Sequence, residues 1–248
     1  MGGFANNAPI VTDGLVFYVD AGNSKSYPGS GTTWSDLVGG NDGTLTNGPT
    51  YDSGNGGSVT LDGSNDRVIY PFNESLNPQP TDAFSVFVWF KDLDSSAGAI
   101  LSNMNVSTNY SGWDLWRQSS GKLAVHIISS WSSNAFKITI NQNASLGTWT
   151  CFGYTYDGSC PTTNSDAVNS IDFYKNGLIH TSGKQHVGGG NFSSSSETTN
   201  YGTQVFEIGS RNGSQICGST ISNVSFYNRA LSASEVLQNY NALKNRFV

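Results

Sequence analysis

The stretch Phe84-Ser-Val-Phe-Val-Trp-Phe90 constrains the fold more than any other. Phe84, Val86, Val88 and Phe90 fall on one face of a strand, and Phe87 and Trp89 fall on the other. A strand apolar on both faces belongs in the middle of a sheet that is covered on both sides. The remaining apolar runs are short and strand-like, at residues 15–19, 58–61, 67–70, 99–101, 113–116, 123–128, 136–140, 148–156, 171–175, 178–180 and 205–208. Turn residues separate them at the spacing of a sandwich. Helical periodicity is convincing only at the end, where residues 221–247 read as a strand and then a helix. Val224 and Phe226 share a strand face. Ser232 and Glu235 form an S-x-x-E capping box, Leu231 can staple onto Val236, and Val236, Leu237, Tyr240 and Leu243 make a helical stripe. The expectation is an all-β, two-sheet antiparallel β-sandwich of jelly-roll form with one short C-terminal helix.

Local signals add detail. Residues 62–66 read as the loop of a hairpin joining 58–61 to 67–70, and Asn176-Gly177 as a two-residue hairpin turn. Residues 20–57 are rich in turn formers, with Trp34 and Leu37 pinning them to the core, and residues 188–203 read as an exposed loop. Residues 13–248 form one domain. Residues 1–12 form a polar arm, either loose or ordered against a neighbouring subunit through Phe4 and Ile10. Cys151 and Cys160 flank a hairpin turn read at Asp157-Gly158, and Cys217 stands apart. Either all three are buried thiols or Cys151 and Cys160 are bridged.

Composition excludes several function classes. Charged residues are only 12% of the 248, so the polar surface is built from Ser, Thr, Asn and Gly. The net charge of −6 is scattered and forms no basic stripe, which argues against nucleic acid and against an anionic membrane. No apolar run approaches a membrane span. The N-terminus lacks the basic start and apolar segment of a secretory signal.

Five motifs now stand in order: Ser58-Val-Thr-Leu-Asp-Gly-Ser-Asn-Asp-Arg-Val68, Phe84-Ser-Val-Phe-Val-Trp-Phe-Lys91, Trp149-Thr-Cys-Phe-Gly-Tyr-Thr-Tyr-Asp-Gly158, Ile171-Asp-Phe-Tyr-Lys-Asn-Gly177, and Ile208-Gly-Ser210 before the terminal strand with Tyr227-Asn-Arg-Ala-Leu-Ser232. Together they resemble laminin-G-like domains of the concanavalin A-like lectin/glucanase superfamily. Gly14-Leu-Val-Phe-Tyr-Val-Asp-Ala-Gly-Asn-Ser-Lys-Ser-Tyr27 and Thr33-Trp-Ser-Asp-Leu-Val-Gly-Gly-Asn-Asp-Gly-Thr-Leu45 look like such domains in tailed-phage virion proteins. The resemblance implies a virion protein made in the host cytoplasm, with an extracellular protein as the alternative. Its partners would be other virion subunits or host-surface glycans, and an oligomer is open. Two roles follow: a glycan binder on a fibre or tail, or a structural decoration protein.

The superfamily also contains glucanases, which place paired carboxylates on one strand. Here the four glutamates are Glu74, Glu197, Glu207 and Glu235. None has the spacing, and Asp92 and Asp94 read as turn formers. No enzyme is expected, with a jelly-roll glycoside hydrolase as runner-up. Relatives also bind calcium through loop oxygens. The candidate ligands here are Asp20, Asn23, Asp36 and Asp42, with Asn41, Asn65, Asp66, Asp157 and Asp166 as weaker clusters. Tyr110, Trp113, Trp116 and Trp131 lie among Asn and Ser and are the candidate carbohydrate-binding residues, with Phe192 and Tyr201 a second group. His126 reads as a satisfied histidine within a sheet.

Overall fold

The computed structural model describes residues 8–93, 96–107, 109–131, 133–143, 146–188, 190–198 and 204–247. In chain order the strands are β1 Leu15–Asp20, β2 Thr33–Trp34, β3 Gly43–Thr46, β4 Thr50–Asp52, β5 Ser58–Leu61, β6 Arg67–Tyr70, β7 Phe84–Asp92, β8 Gly98–Ser102 and β9 Gly112–Arg117. They continue as β10 Lys122–Ser130, β11 Asn134–Asn143, β12 Trp149–Tyr156, β13 Ile171–Lys175, β14 Leu178–His180, β15 Gln185–His186, β16 Phe206–Ile208 and β17 Ser219–Tyr227. Helix α1 spans Asn164–Asn169 and α2 spans Ala233–Leu243. One sheet runs β14-β13-β12-β7-β17-β5-β4, with β1 also on β17, and the other runs β15-β11-β10-β9-β8-β16-β6-β3-β2. Every ladder between these strands is antiparallel. The expected two-sheet sandwich with a C-terminal helix is the architecture found.

β7 is central, between β12 and β17. Phe84, Val86, Val88 and Phe90 enter the core between the sheets, with Trp113, Leu115, Val125 and Ile127 from the facing sheet. Its other face is covered by α2. Phe87 packs with Tyr174, Tyr227, Leu231 and Val236. Trp89 lies between Phe247, at 4.1 Å between ring centroids, and Tyr240, at 5.6 Å. Leu237 departs from the expected stripe and is exposed, because the helix presents only a narrow face to the sheet. The described end of the arm joins this layer. Val11 N donates to Asn239 Oδ1 at 2.7 Å, and Tyr227 Oη donates to Val11 O at 3.0 Å. Residues 8–12 thus dock on their own domain, and Phe4 lies outside the described residues.

Several local readings need correction. Residues 58–61 and 67–70 are no hairpin: β5 pairs with β4 and β17 in one sheet, and β6 pairs with β3 and β16 in the other. Residues 62–66 carry the chain from sheet to sheet, a connection whose turn residues look the same as a hairpin's. Asp157-Gly158 likewise closes no hairpin. The chain passes through α1, capped by Thr163 Oγ1 accepting from Asp166 N at 3.2 Å, before β13 begins. Cys151 lies near the start of β12 and Cys160 beyond its end, and all three cysteines are free and buried. Burial pushes the Cys151 thiol up to about 12. The stretch 20–57 holds three short strands, β2, β3 and β4, besides its turns.

Asp92 is not a turn former. It continues the core-facing series of β7 and is 1% exposed, paired with Arg117 Nε from β9 of the opposite sheet. Arg117 Nη1 also donates to Ser96 O at 2.6 Å. Asp94 lies outside the described residues. Breaking one side of a buried ion pair typically costs about 3–5 kcal/mol, whereas replacing both partners by apolar residues is often neutral. Arg117→Met should therefore lose about that much in urea unfolding, and Asp92→Leu/Arg117→Met should recover most of it.

The helix start matches its sequence signature. Ser232 and Glu235 complete the capping box. Glu235 also accepts from Arg229 Nη2 at 2.6 Å and Nη1 at 3.1 Å. The Arg229 bonds, helped by the Ser232 N–H, bring its carboxyl down to about 2. Because this lies below the unfolded value, the contribution is complete above about pH 4.3 and is lost as pH falls towards 2. Between about pH 6 and about pH 2 the melting temperature should fall more for the wild type than for Glu235→Gln, measured by thermal scans.

Candidate binding site

The helix covers the outer face of one sheet. The outer face of the other carries a row of polar side chains. Strand register sets Lys137 of β11 beside His126 of β10, His126 beside Asp114 of β9, Asp114 beside Ser102 of β8, and Ser102 beside Glu207 of β16. Residues directly opposite one another share a face. Their strand neighbours Trp113, Leu115, Val125, Ile127, Ile138 and Ile208 fill the core, so this row points outward.

At the centre of the row Asp114 is fully buried and holds two partners. Its Oδ1 accepts from His126 Nδ1 at 2.7 Å and from His126 N at 3.2 Å, and its Oδ2 accepts from Arg211 Nη2. Burial alone would raise the Asp114 carboxyl, but the charge of Arg211 and the His126 contact outweigh it and hold it below the usual carboxylate range. An ionised Asp114 has no proton to give, so Nδ1 of His126 is the donor. Burial lowers the His126 pKa against the pull of Asp114. The ring is therefore neutral at neutral pH, and Nε2 is an acceptor without a donor among the described residues. Lys137 is also shifted down, by its burial and by the charge of Arg211, against Asp114.

Aromatic rings surround this centre. The Arg211 guanidinium lies 4.4 Å from the Trp116 ring centroid and 5.6 Å from that of Tyr110. Tyr110 and Trp131 are 6.0 Å apart, and His126 is 6.3 Å from Trp131 and 6.2 Å from Trp116. Tyr110, His126, Trp131, Arg211 and Gln215 line a cleft of about 210 Å³, partly open to solvent. Trp131 is 41% exposed at its rim, held by Trp131 N donating to Asn109 O at 2.9 Å.

Three of the four candidate aromatics thus meet, and the fourth does not. Trp113 is fully buried in the core, against Phe84, Phe206 and Phe226, and its Nε1 donates to Leu76 O at 2.9 Å. It alternates with Trp116 along β9, and only one of two such neighbours can face out. Phe192 is buried against Phe136, and Tyr201 lies outside the described residues. The sequence reading did not connect Asp114, Arg211 or Gln215 to this site. Strand alternation places Asp114 beside Trp116, but Arg211 and Gln215 arrive from a distant loop.

The calcium candidates sit elsewhere, and protein donors engage their oxygens. Asp20 accepts from Gly22 N at 2.8 Å, Tyr18 Oη at 3.1 Å and Arg246 Nη1 at 3.0 and 2.8 Å. Asn23 Oδ1 accepts from Lys25 N at 3.0 Å. Asp36 accepts four backbone N–H groups, from Tyr18, Val38, Gly39 and Asn41, and Asp42 accepts from Asp36 N. Asp66 accepts from Asp62 N, Asp157 from Ser159 N and Asp166 from Thr163 Oγ1, while Asn65 O accepts from Asn47 Nδ2. These are the bonds by which Asp and Asn shape turns. Among the described residues no three His, Cys, Asp or Glu side chains gather as a metal site.

A sequence search of curated proteins finds no match. Solved structures share the fold. A Trypanosoma rangeli sialidase in complex with the inhibitor DANA superposes with a TM-score of 0.62 at 14% identity, over 100% of this chain and 36% of that one. The binding domain of Botulinum Neurotoxin DC in complex with SialylT gives 0.64 at 14% identity, over 93% and 52%. The binding domain of Paraclostridial Mosquitocidal Protein 1 gives 0.61 at 16%, over 92% and 52%. The chain therefore spans from about a third to about half of these proteins' own length. Residues 53–237 match the Laminin_G_3 family model, and with its sandwich and terminal helix the chain belongs to the concanavalin A-like lectin/glucanases superfamily.

Proposed function

We propose that this chain is a non-catalytic glycan-binding module, and that the cleft between Tyr110, Trp131, His126 and Arg211 holds the sugar. The observation that carries the reading is a cleft in which Tyr110 and Trp131 stand beside a polar floor of His126, Arg211 and Gln215, with Trp116 packed against Arg211. Aromatic faces stack on the apolar side of a sugar ring, and a few fixed polar groups read its hydroxyls. His126 Nε2 supplies an acceptor and Gln215 both a donor and an acceptor. The likeness to a toxin binding domain in complex with SialylT supports the same reading.

Binding is favoured over hydrolysis by the state of the carboxylates. A glycosidase needs one carboxyl able to stay protonated and within reach of substrate. Asp114 is buried and held ionised by Arg211 and His126. Glu207 is 3% exposed and accepts from Ser210 Oγ and from Gly213 N at 2.9 Å. The sialidase likeness, at 14% identity, extends to the fold.

The wider setting we propose is a tailed-phage virion, as a host-surface adhesion or decoration protein. Its support is the resemblance of residues 14–27 and 33–45 to phage virion domains. Locating the subunit in an intact particle by electron microscopy tests this. Finding it free in uninfected cells overturns it.

A glycan array with the purified chain should retain a defined set of saccharides. Trp131→Ala should weaken binding roughly two- to tenfold, the worth of one aromatic contact, with little change in stability. Leu146→Ala, at an exposed position outside the cleft, should leave affinity unchanged. Retention of no glycan would sink the proposal.

A further inference from the structure

The cleft carries more cationic hydrogen-bonding capacity than the protein uses. Arg211 is 6% exposed and lines the cleft. A guanidinium offers five N–H donors in a planar fork. Nη2 donates to Asp114, but Nε is buried with no acceptor, and among the described residues no acceptor meets Nη1. Buried donors without partners are rare in folded proteins, because leaving one unmet is costly. Here the guanidinium is held between the rings of Trp116 and Tyr110, so it cannot swing out to water without giving up both contacts.

The local charge points the same way. Arg211 and the half-buried Lys137 are the cations of this part of the row, and Asp114 is the carboxylate they share. With His126 neutral, one positive charge is left over, in a chain whose net charge is −6. Glu207, two strands away, is engaged by Ser210 and Gly213 and lies 3.9 Å from Arg67. It does not neutralise the cleft.

Building on the glycan-binding reading, we infer that the ligand is a saccharide bearing a carboxylate, docked end-on at Nη1 and the second N–H of Nη2 of Arg211. Two carboxylate oxygens match the spacing of guanidinium N–H groups. The sugar ring lies against Trp131 and Tyr110, and a ring hydroxyl donates to His126 Nε2. That nitrogen accepts but cannot donate, so it takes a hydroxyl and not a second anionic group, which orients the sugar with its acidic end towards Arg211.

The test uses the wild-type chain on an array of acidic saccharides, sialylated and uronate-containing, each printed beside its neutral parent. Titration calorimetry then compares the best acidic ligand with its carboxamide, which keeps the shape and removes the charge. The acid should bind roughly ten- to a hundredfold more tightly. Arg211→Lys, which keeps the charge but loses the fork, should lose most of that preference while still binding the carboxamide. The wild-type comparison stands even where the variant fails to fold. Equal affinity for acid and carboxamide overturns the carboxylate and leaves glycan binding intact. Tighter binding of a sulfated parent than of the acid also overturns it. An unchanged preference in folded Arg211→Lys overturns the role of Arg211. Retention of no saccharide at all overturns both readings.

Discussion

One asymmetry organises the molecule. It has two sheets and one helix long enough to cover a sheet face. Burying Phe87 and Trp89 on the outer face of the β7 sheet requires that helix, with Val236, Tyr240, Leu243 and Phe247 as its contacts. The contribution is large, since each aromatic side chain removes about 150–250 Å² from water. Among the described residues no helix covers β9 and β10 of the other sheet. Its outward positions there are mostly polar or aromatic, beside a small apolar cluster of Met104, Ile128 and Ala135, and the cleft forms there. The site is a consequence of where the helix went.

The cleft floor combines strength with selectivity because its groups fix one another. Asp114 orients His126 and Arg211 together. The tautomer of one and the free edge of the other are thus set before any ligand arrives. Preorganisation of this kind reduces the ordering cost of binding. The aromatic rings then supply contact area at low entropic cost.

Much of the fold was legible because its signals are local. The two-faced pattern of residues 84–90, the Ser232–Glu235 box and the Asn176-Gly177 turn each depend on a few neighbouring residues, and each is found as read. Sheet membership was not legible. Residues 62–66 could close a hairpin or cross the sandwich, and only pairing with distant strands decides. The same limit hid the site. Trp113 and Trp116 differ only in which face of β9 they occupy, and that depends on which face the other sheet covers. Asp92 shows the reverse case: its spacing from Phe90 already placed it on the core face, but a carboxylate there needs Arg117, 25 residues on, to make sense. Helix α1, at six residues, is too short for periodicity to show.

The position of β17 has a kinetic consequence. The strand completed by Tyr227 pairs with β7 on one side and with both β1 and β5 on the other. Until it has been synthesised, β1 has no ladder partner in its sheet, β5 has only β4, and β7 is paired along one edge. The first strands made wait for one of the last. Contacts of such long sequence separation form slowly. During translation this sheet is divided into a β14-β13-β12-β7 piece and a β5-β4 piece, and it closes only when the final strand pairs between them.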